Sequence, residues 1–136
     1  MARVLIPFWD FASGERALAR LLARPRDPRL EVELLAIVDP LVPGRIPMIV
    51  SRERAEAQAS GAARRWLERL EPSLEDARIA YRSHIAMGGR KAVLREAGAR
   101  SDIDEVLLGT RVRDPLGRWR RRFVAHAMQR PVASIG

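Results

Sequence analysis

The chain has 136 residues, 47% hydrophobic and 31% charged, with a formal net charge of +8. Residues 1–136 suit one globular domain with a real core, and the balance excludes a disordered chain or two ordinary domains. There is no cysteine, which excludes disulfides and thiolate metal sites; His84 and His126 lack paired spacing, so no metal site is expected.

In chain order, Val4-Leu5-Ile6-Pro7-Phe8 is a compact apolar run with β-branched Val4 and Ile6 and predicts a first buried strand. Ser13 to Ala23 places Ala17, Leu18, Leu21 and Leu22 at helical spacing, with Ser13 as N-cap and Pro25 and Pro28 beyond the end. Val32 to Val38 is nearly continuous apolar sequence, which predicts a strand covered on both faces, as in a parallel sheet. Pro40 to Val50 is a loop rich in Pro. Ser51 caps a long helix to about Leu70, whose inner stripe is Ala55, Ala59, Ala62, Ala63, Trp66, Leu67 and Leu70, with Pro72 just past its end.

Ala77 to Met87 is a third strand; Ile79, Tyr81, Ser83 and Ile85 alternate with Ala80, Arg82 and His84, so one face is expected to be wetter. Gly88-Gly89 breaks it. A short helix from Arg90 packs through Ala92, Val93, Leu94 and Ala97 and closes at Gly98. Glu105 to Leu108 is the fourth strand, Arg118 to Met128 a last helix, and Pro131 to Ile135 a terminal strand. This alternation predicts an α/β fold: a three-layer, doubly wound sheet of five parallel strands with about four helices. Ligands of such sheets bind beyond the carboxyl ends of the strands, at the point where strand order reverses. That rule selects Phe8-Trp9-Asp10, Val38-Asp39, Met87-Gly88-Gly89 and Gly109-Thr110-Arg111.

Catalytic signatures are missing. There is no GxSxG elbow, no GxxxxGK[ST] loop and no GxGxxG after the first strand. A phosphoacceptor would need an Asp ending the third strand, where Met87 and Gly88 stand. No catalytic residue is therefore assigned and the protein is expected not to be an enzyme. Asp10 and Asp39 are commoner as caps or turn residues than as general bases. Trp9, at the mouth of the first strand, either stacks on a base or plugs an empty cleft; burial is the commoner use of the ring.

Gly-Thr after a buried strand is the start of a phosphate-facing loop, yet the small positions expected next hold Val112, Arg118, Trp119, Arg122 and Phe123. Arginine supplies almost all the positive charge, with Lys91 the one lysine. Guanidinium groups suit phosphate oxygens, but no helix carries polar residues for reading bases, so nucleic acid is not an expected partner. No run is long enough for a signal core or a membrane span, so a cytoplasmic protein is expected.

The layout resembles the universal stress protein family, whose domain belongs with the adenine nucleotide alpha hydrolase-like folds. The marks are Arg3-Val4-Leu5-Ile6-Pro7, Glu15-Arg16-Ala17-Leu18, Ala36-Ile37-Val38-Asp39, Met87-Gly88, Asp104 to Thr110, and Pro131-Val132. The resemblance implies a small cytoplasmic stress-response protein that acts through a partner or small ligand. It also implies a homodimer joined through the terminal strand, Val132, Ala133, Ser134 and Ile135. Members that bind ATP carry G-x2-G-x9-G-[ST] after the fourth strand and an Asp two residues beyond the first-strand Pro. Here Gly109 is present, Val112 replaces the second Gly, the final Gly-Ser falls on Arg118-Trp119 with Gly117 beside it, and Trp9 takes the Asp position. The family's site would comprise Pro7, Trp9, Asp10, Val38, Met87, Gly88, Gly109, Thr110, Arg111, Arg113, Gly117 and Arg118. Its ATP motif is degenerate, so no cofactor is expected. One alternative is a nucleotide switch in which Arg111, Arg113 and Arg118 clamp the phosphates of ATP or a related nucleotide; the other is a basic nucleic-acid-binding protein that uses the Arg111 to Arg122 segment.

Overall fold

The computed structural model describes residues 2–39, 51–109 and 132–135. Its elements are β1 (Ala2–Phe8), α1 (Phe11–Leu22), β2 (Leu30–Val38), α2 (Arg52–Asp76), β3 (Ala80–Met87), α3 (Arg90–Gly98), β4 (Glu105–Gly109) and β5 (Val132–Ile135). All strand pairs are parallel, and the strand order is β3-β2-β1-β4-β5. The helix expected over Arg118–Met128, the loop Pro40–Val50 and the positions Thr110, Arg111, Arg113, Gly117 and Arg118 lie outside the described residues.

The two faces of the sheet read directly from the period of two along each strand. Val4, Ile6 and Phe8 of β1 and Val32, Leu34, Ala36 and Val38 of β2 pack under α1 and α2 through Ala17, Leu18, Leu21, Leu67, Leu70 and Leu74. The opposite face carries Leu5, Trp9, Leu35, Ile37, Val106 and Leu108 under Leu94 and Ala97 of α3. Helices thus cover both faces, giving three layers, and β2 is buried from Val32 to Val38 as its continuous apolar run requires. Along β3, exposed Ala80, Arg82 and His84 alternate with half-buried Tyr81, Ser83 and Ile85. This is the expected wetter face.

Four local expectations are corrected. The N-cap of α1 is Asp10, not Ser13: Asp10 Oδ1 accepts from Ser13 N–H at 2.7 Å, and Ser13, fully inside the helix, donates its hydroxyl back to Asp10 O. Pro72 does not end α2; the helix runs four residues further. A proline inside a helix loses one hydrogen bond, but Leu70 and Leu74 on either side of it are 3% and 0% exposed, and their burial holds the last turns in place. Residues Ala77 to Ile79 are not strand, because they form the exit turn of α2, where Ile79 N–H donates to Leu74 O at 3.0 Å. Ala92 is exposed on α3 rather than packed; the helix closes at Gly98 as expected, with Ala99 as its cap.

Candidate functional site

The order β3-β2-β1-β4-β5 places the reversal between β1 and β4. A proline explains why the sheet opens there. Arg3 O accepts from Asp104 N–H at 2.9 Å, so the backbone groups of Arg3, Leu5 and Pro7 turn toward β4. Pro7 has no N–H to donate, and the β1–β4 pairing stops at Leu5↔Val106, whereas β1 pairs with β2 along its full length from Ala2 to Phe8.

The residues selected from sequence gather around this opening. Phe8 is level with Ala36 and Val38 with Met87 across the sheet. Gly88, at a φ of 136° that favours glycine, donates its N–H to Val38 O at 3.0 Å and turns the chain into α3. Gly89 is the N-cap of α3.

Trp9 fills the opening on the α3 side. Its ring is 8% exposed and belongs to the apolar cluster of Leu5, Leu35, Ile37, Leu94 and Val106. The Arg90 guanidinium, on the first turn of α3, lies 4.2 Å from the ring centre, a cation–π contact that covers the indole from outside. Of the two roles open to Trp9, the plug is the one that requires this burial. Asp10 is engaged as the cap of α1.

Gly109 is used by packing. A Cβ there would stand 1.9 Å from Ser13 O and 2.9 Å from Ala17 N. Only glycine lets α1 lie directly on the end of β4. Arg16 then reaches across and donates from Nε to Gly109 O at 3.1 Å. Arg16 and Arg90 were not singled out by sequence reasoning. Arg16 lies in one of the family marks and Arg90 opens a helix, but the part of each at the strand ends is recognisable only once α1 and α3 are placed over them.

The amino-terminal end of the same sheet is charged. Glu33, on β2, is 2% exposed; Arg100 donates to both its carboxylate oxygens. Arg100 also forks onto Asp102 at 2.7 and 3.1 Å, Asp102 accepts from Arg3 at 2.7 Å, and Arg3 donates to Glu31 at 2.6 Å. Arg100, and after it Arg3, hold the Asp102 carboxyl well below the usual carboxylate range. This ladder ties the α3–β4 connection to the sheet. His84 Nε2 stands 3.8 Å from Glu33 and is half exposed. Among the described residues no cluster of His, Asp or Glu has metal-binding geometry, and no helix is long and apolar enough to cross a membrane.

No protein-family model and no curated protein matches the chain. Solved structures do. A universal stress protein family protein from Arabidopsis thaliana, solved with AMP bound, is 17% identical, with 99% of this chain and 91% of that one covered at a TM-score of 0.71. The hypothetical protein MJ0577, the subject of a structure-based assignment of biochemical function, is 19% identical over 98% of this chain and 94% of its own, at a TM-score of 0.74. A universal stress protein in complex with cAMP is 14% identical over 99% and 97%, at a TM-score of 0.64. The fold of this chain is the universal stress protein fold.

Proposed function

We propose that this chain is a universal-stress-type protein that acts by binding rather than catalysis, with the nucleotide crevice of that fold altered. The carrying observation is Trp9: the ring is buried at the carboxyl end of β1, beneath Arg90. Two solved structures of this fold hold AMP or cAMP; on this reading the crevice at the strand ends of this chain is closed by its own indole. Asp10 is engaged as the helix cap, and Val112 and Arg118 stand where phosphate-cradling small residues belong in ATP-binding members.

Loss of two or three N–H contacts to phosphate costs about 1.5–3 kcal/mol each, enough to weaken binding by orders of magnitude. Equilibrium dialysis with ATP and Mg²⁺ tests this directly. Dissociation constants in the millimolar range or weaker are expected; a micromolar constant would instead support the nucleotide switch with arginine clamps.

The protein is further proposed to be a homodimer. β5 is the outer strand of the sheet beyond β4, and a short terminal edge strand is a natural place for a second copy to pair. Light scattering is expected to give twice the 15.3 kDa chain mass; a monomer at high concentration would refute the dimer. Action in the cytoplasm through a protein partner or small ligand completes the reading.

A further inference from the structure

A second cavity lies at the opposite end of the molecule, where α1 and α2 both finish. It has a volume of about 480 Å³ and is lined from two stretches of chain, by Leu21, Leu22 and Leu30 of the first and Ile79 of the second among others. That size falls in the range of small-ligand pockets. Leu21 is buried, Leu30 and Ile79 are half-buried, and Leu22 is 37% exposed, one of two large apolar side chains left open among the described residues.

The polar lining is uneven. Arg24 is spent on Glu105, with both bonds at 2.8 and 3.0 Å. Asp27 accepts from the Arg29 backbone N–H at 2.9 Å. Arg26 and Arg78 line the cavity with no carboxylate partner among the described residues. Arg26 sits between Pro25 and Pro28, which restrict the loop and so lower the cost of holding its guanidinium in place.

Arg78 is the sharper observation. Its φ is 58°, the one positive φ outside glycine among the described residues. It occupies the left-handed position that closes α2, with its own N–H donating to Glu75 O at 3.0 Å. Glycine fills such a position at lower cost. An exposed arginine kept in a left-handed turn, on the wall of a cavity that also carries leucines, is better explained by its guanidinium than by its backbone.

We infer that this cavity is a binding site for a small amphiphilic anion, with an acyl or aryl body on the leucine wall and a carboxylate between Arg26 and Arg78. The two guanidinium groups without a carboxylate partner among the described residues, Arg26 and Arg78, select the anion. Asp27 and Asp76 also line the cavity and oppose it, so neutralising Asp76 is expected to tighten binding. A purely structural alternative exists: the two arginines would only offset the negative ends of α1 and α2. The site is independent of the crevice at Trp9, and its failure leaves the reading of that crevice untouched.

Isothermal titration of the full chain with octanoate, and with octylamine as the cationic match, decides between these. Octanoate is expected to bind saturably at one site and octylamine not to bind. Arg26→Ala and Arg78→Gly should each weaken octanoate by about tenfold or more, the worth of one charge-assisted contact. Asp76→Asn should strengthen it. Arg78→Gly should leave Tm unchanged or raise it, which separates lost binding from lost folding. Equal binding of the two amphiphiles, no saturable octanoate binding, or an Arg78→Gly variant with lowered Tm and intact binding would each overturn the proposal.

Discussion

The two ends of the sheet have been treated in opposite ways. At the carboxyl ends of the strands, where strand order reverses and a parallel sheet ordinarily takes its ligand, the described residues are taken up by packing and capping, with Trp9 under Arg90, Gly109 under α1 and Asp10 in the cap, and on our proposal they close the crevice. At the amino-terminal end, where such sheets seldom bind anything, a cavity stays open and two guanidinium groups stand on its wall. The lesson is that topology creates the opportunity for a site, and a few side chains at the strand ends decide whether it is used.

Three substitutions at the closed end and one at the charged end sharpen that contrast, in descending order of expected effect. Trp9→Ala removes a buried ring from the cluster of Leu5, Leu35 and Leu94 and should cost about 3–5 kcal/mol in urea unfolding; a loss under 1 kcal/mol would mean the ring is not a structural plug. Gly109→Ala drives a methyl into the backbone of α1 and should cost about 3 kcal/mol, measured the same way. Asp10→Ala removes the cap bond to Ser13 N–H and should cost about 1 kcal/mol. A loss no larger than that of an exposed surface residue would free Asp10 for a ligand role.

The smallest effect concerns pH. Asp102 is held below its ordinary range by Arg100 and Arg3. A carboxylate whose pKa is lowered by folding stabilises the native state above its unfolded value of about 4, and that contribution drains away as pH falls toward the folded value. Tm should therefore fall below about pH 4, and Asp102→Asn should flatten that limb. An unchanged acid limb in the variant would show that the ladder at this end does not carry the dependence.

Much of the framework is legible from local sequence. The apolar runs Val4–Phe8 and Val32–Val38, the Ser51 cap and the alternation from Ala80 to Ile85 each follow from a short-range rule, and each stands in the fold. The errors arise where a tertiary contact outweighs a local signal. Pro72 reads as a helix stop, but Leu74 is buried beyond it. Ser13 reads as a cap, but Asp10, three residues earlier, supplies the bond.

At the site, the strand-end positions were legible from topology alone, whereas what fills them was not. Trp9 admitted two roles until Arg90, 81 positions later in the chain, could be placed above it. Gly109 matches a phosphate-loop glycine by motif, and only the approach of Ser13 and Ala17 reveals its packing role. The cavity of Arg26 and Arg78 left no motif because it is assembled from the ends of two helices and the loops that follow them.

A crystal structure of the protein purified without added nucleotide tests the central claim most directly. The account predicts the Trp9 indole seated beneath Arg90 with no nucleotide between β1 and β4. An adenine nucleotide in that crevice, with the indole swung away from it, would contradict the account.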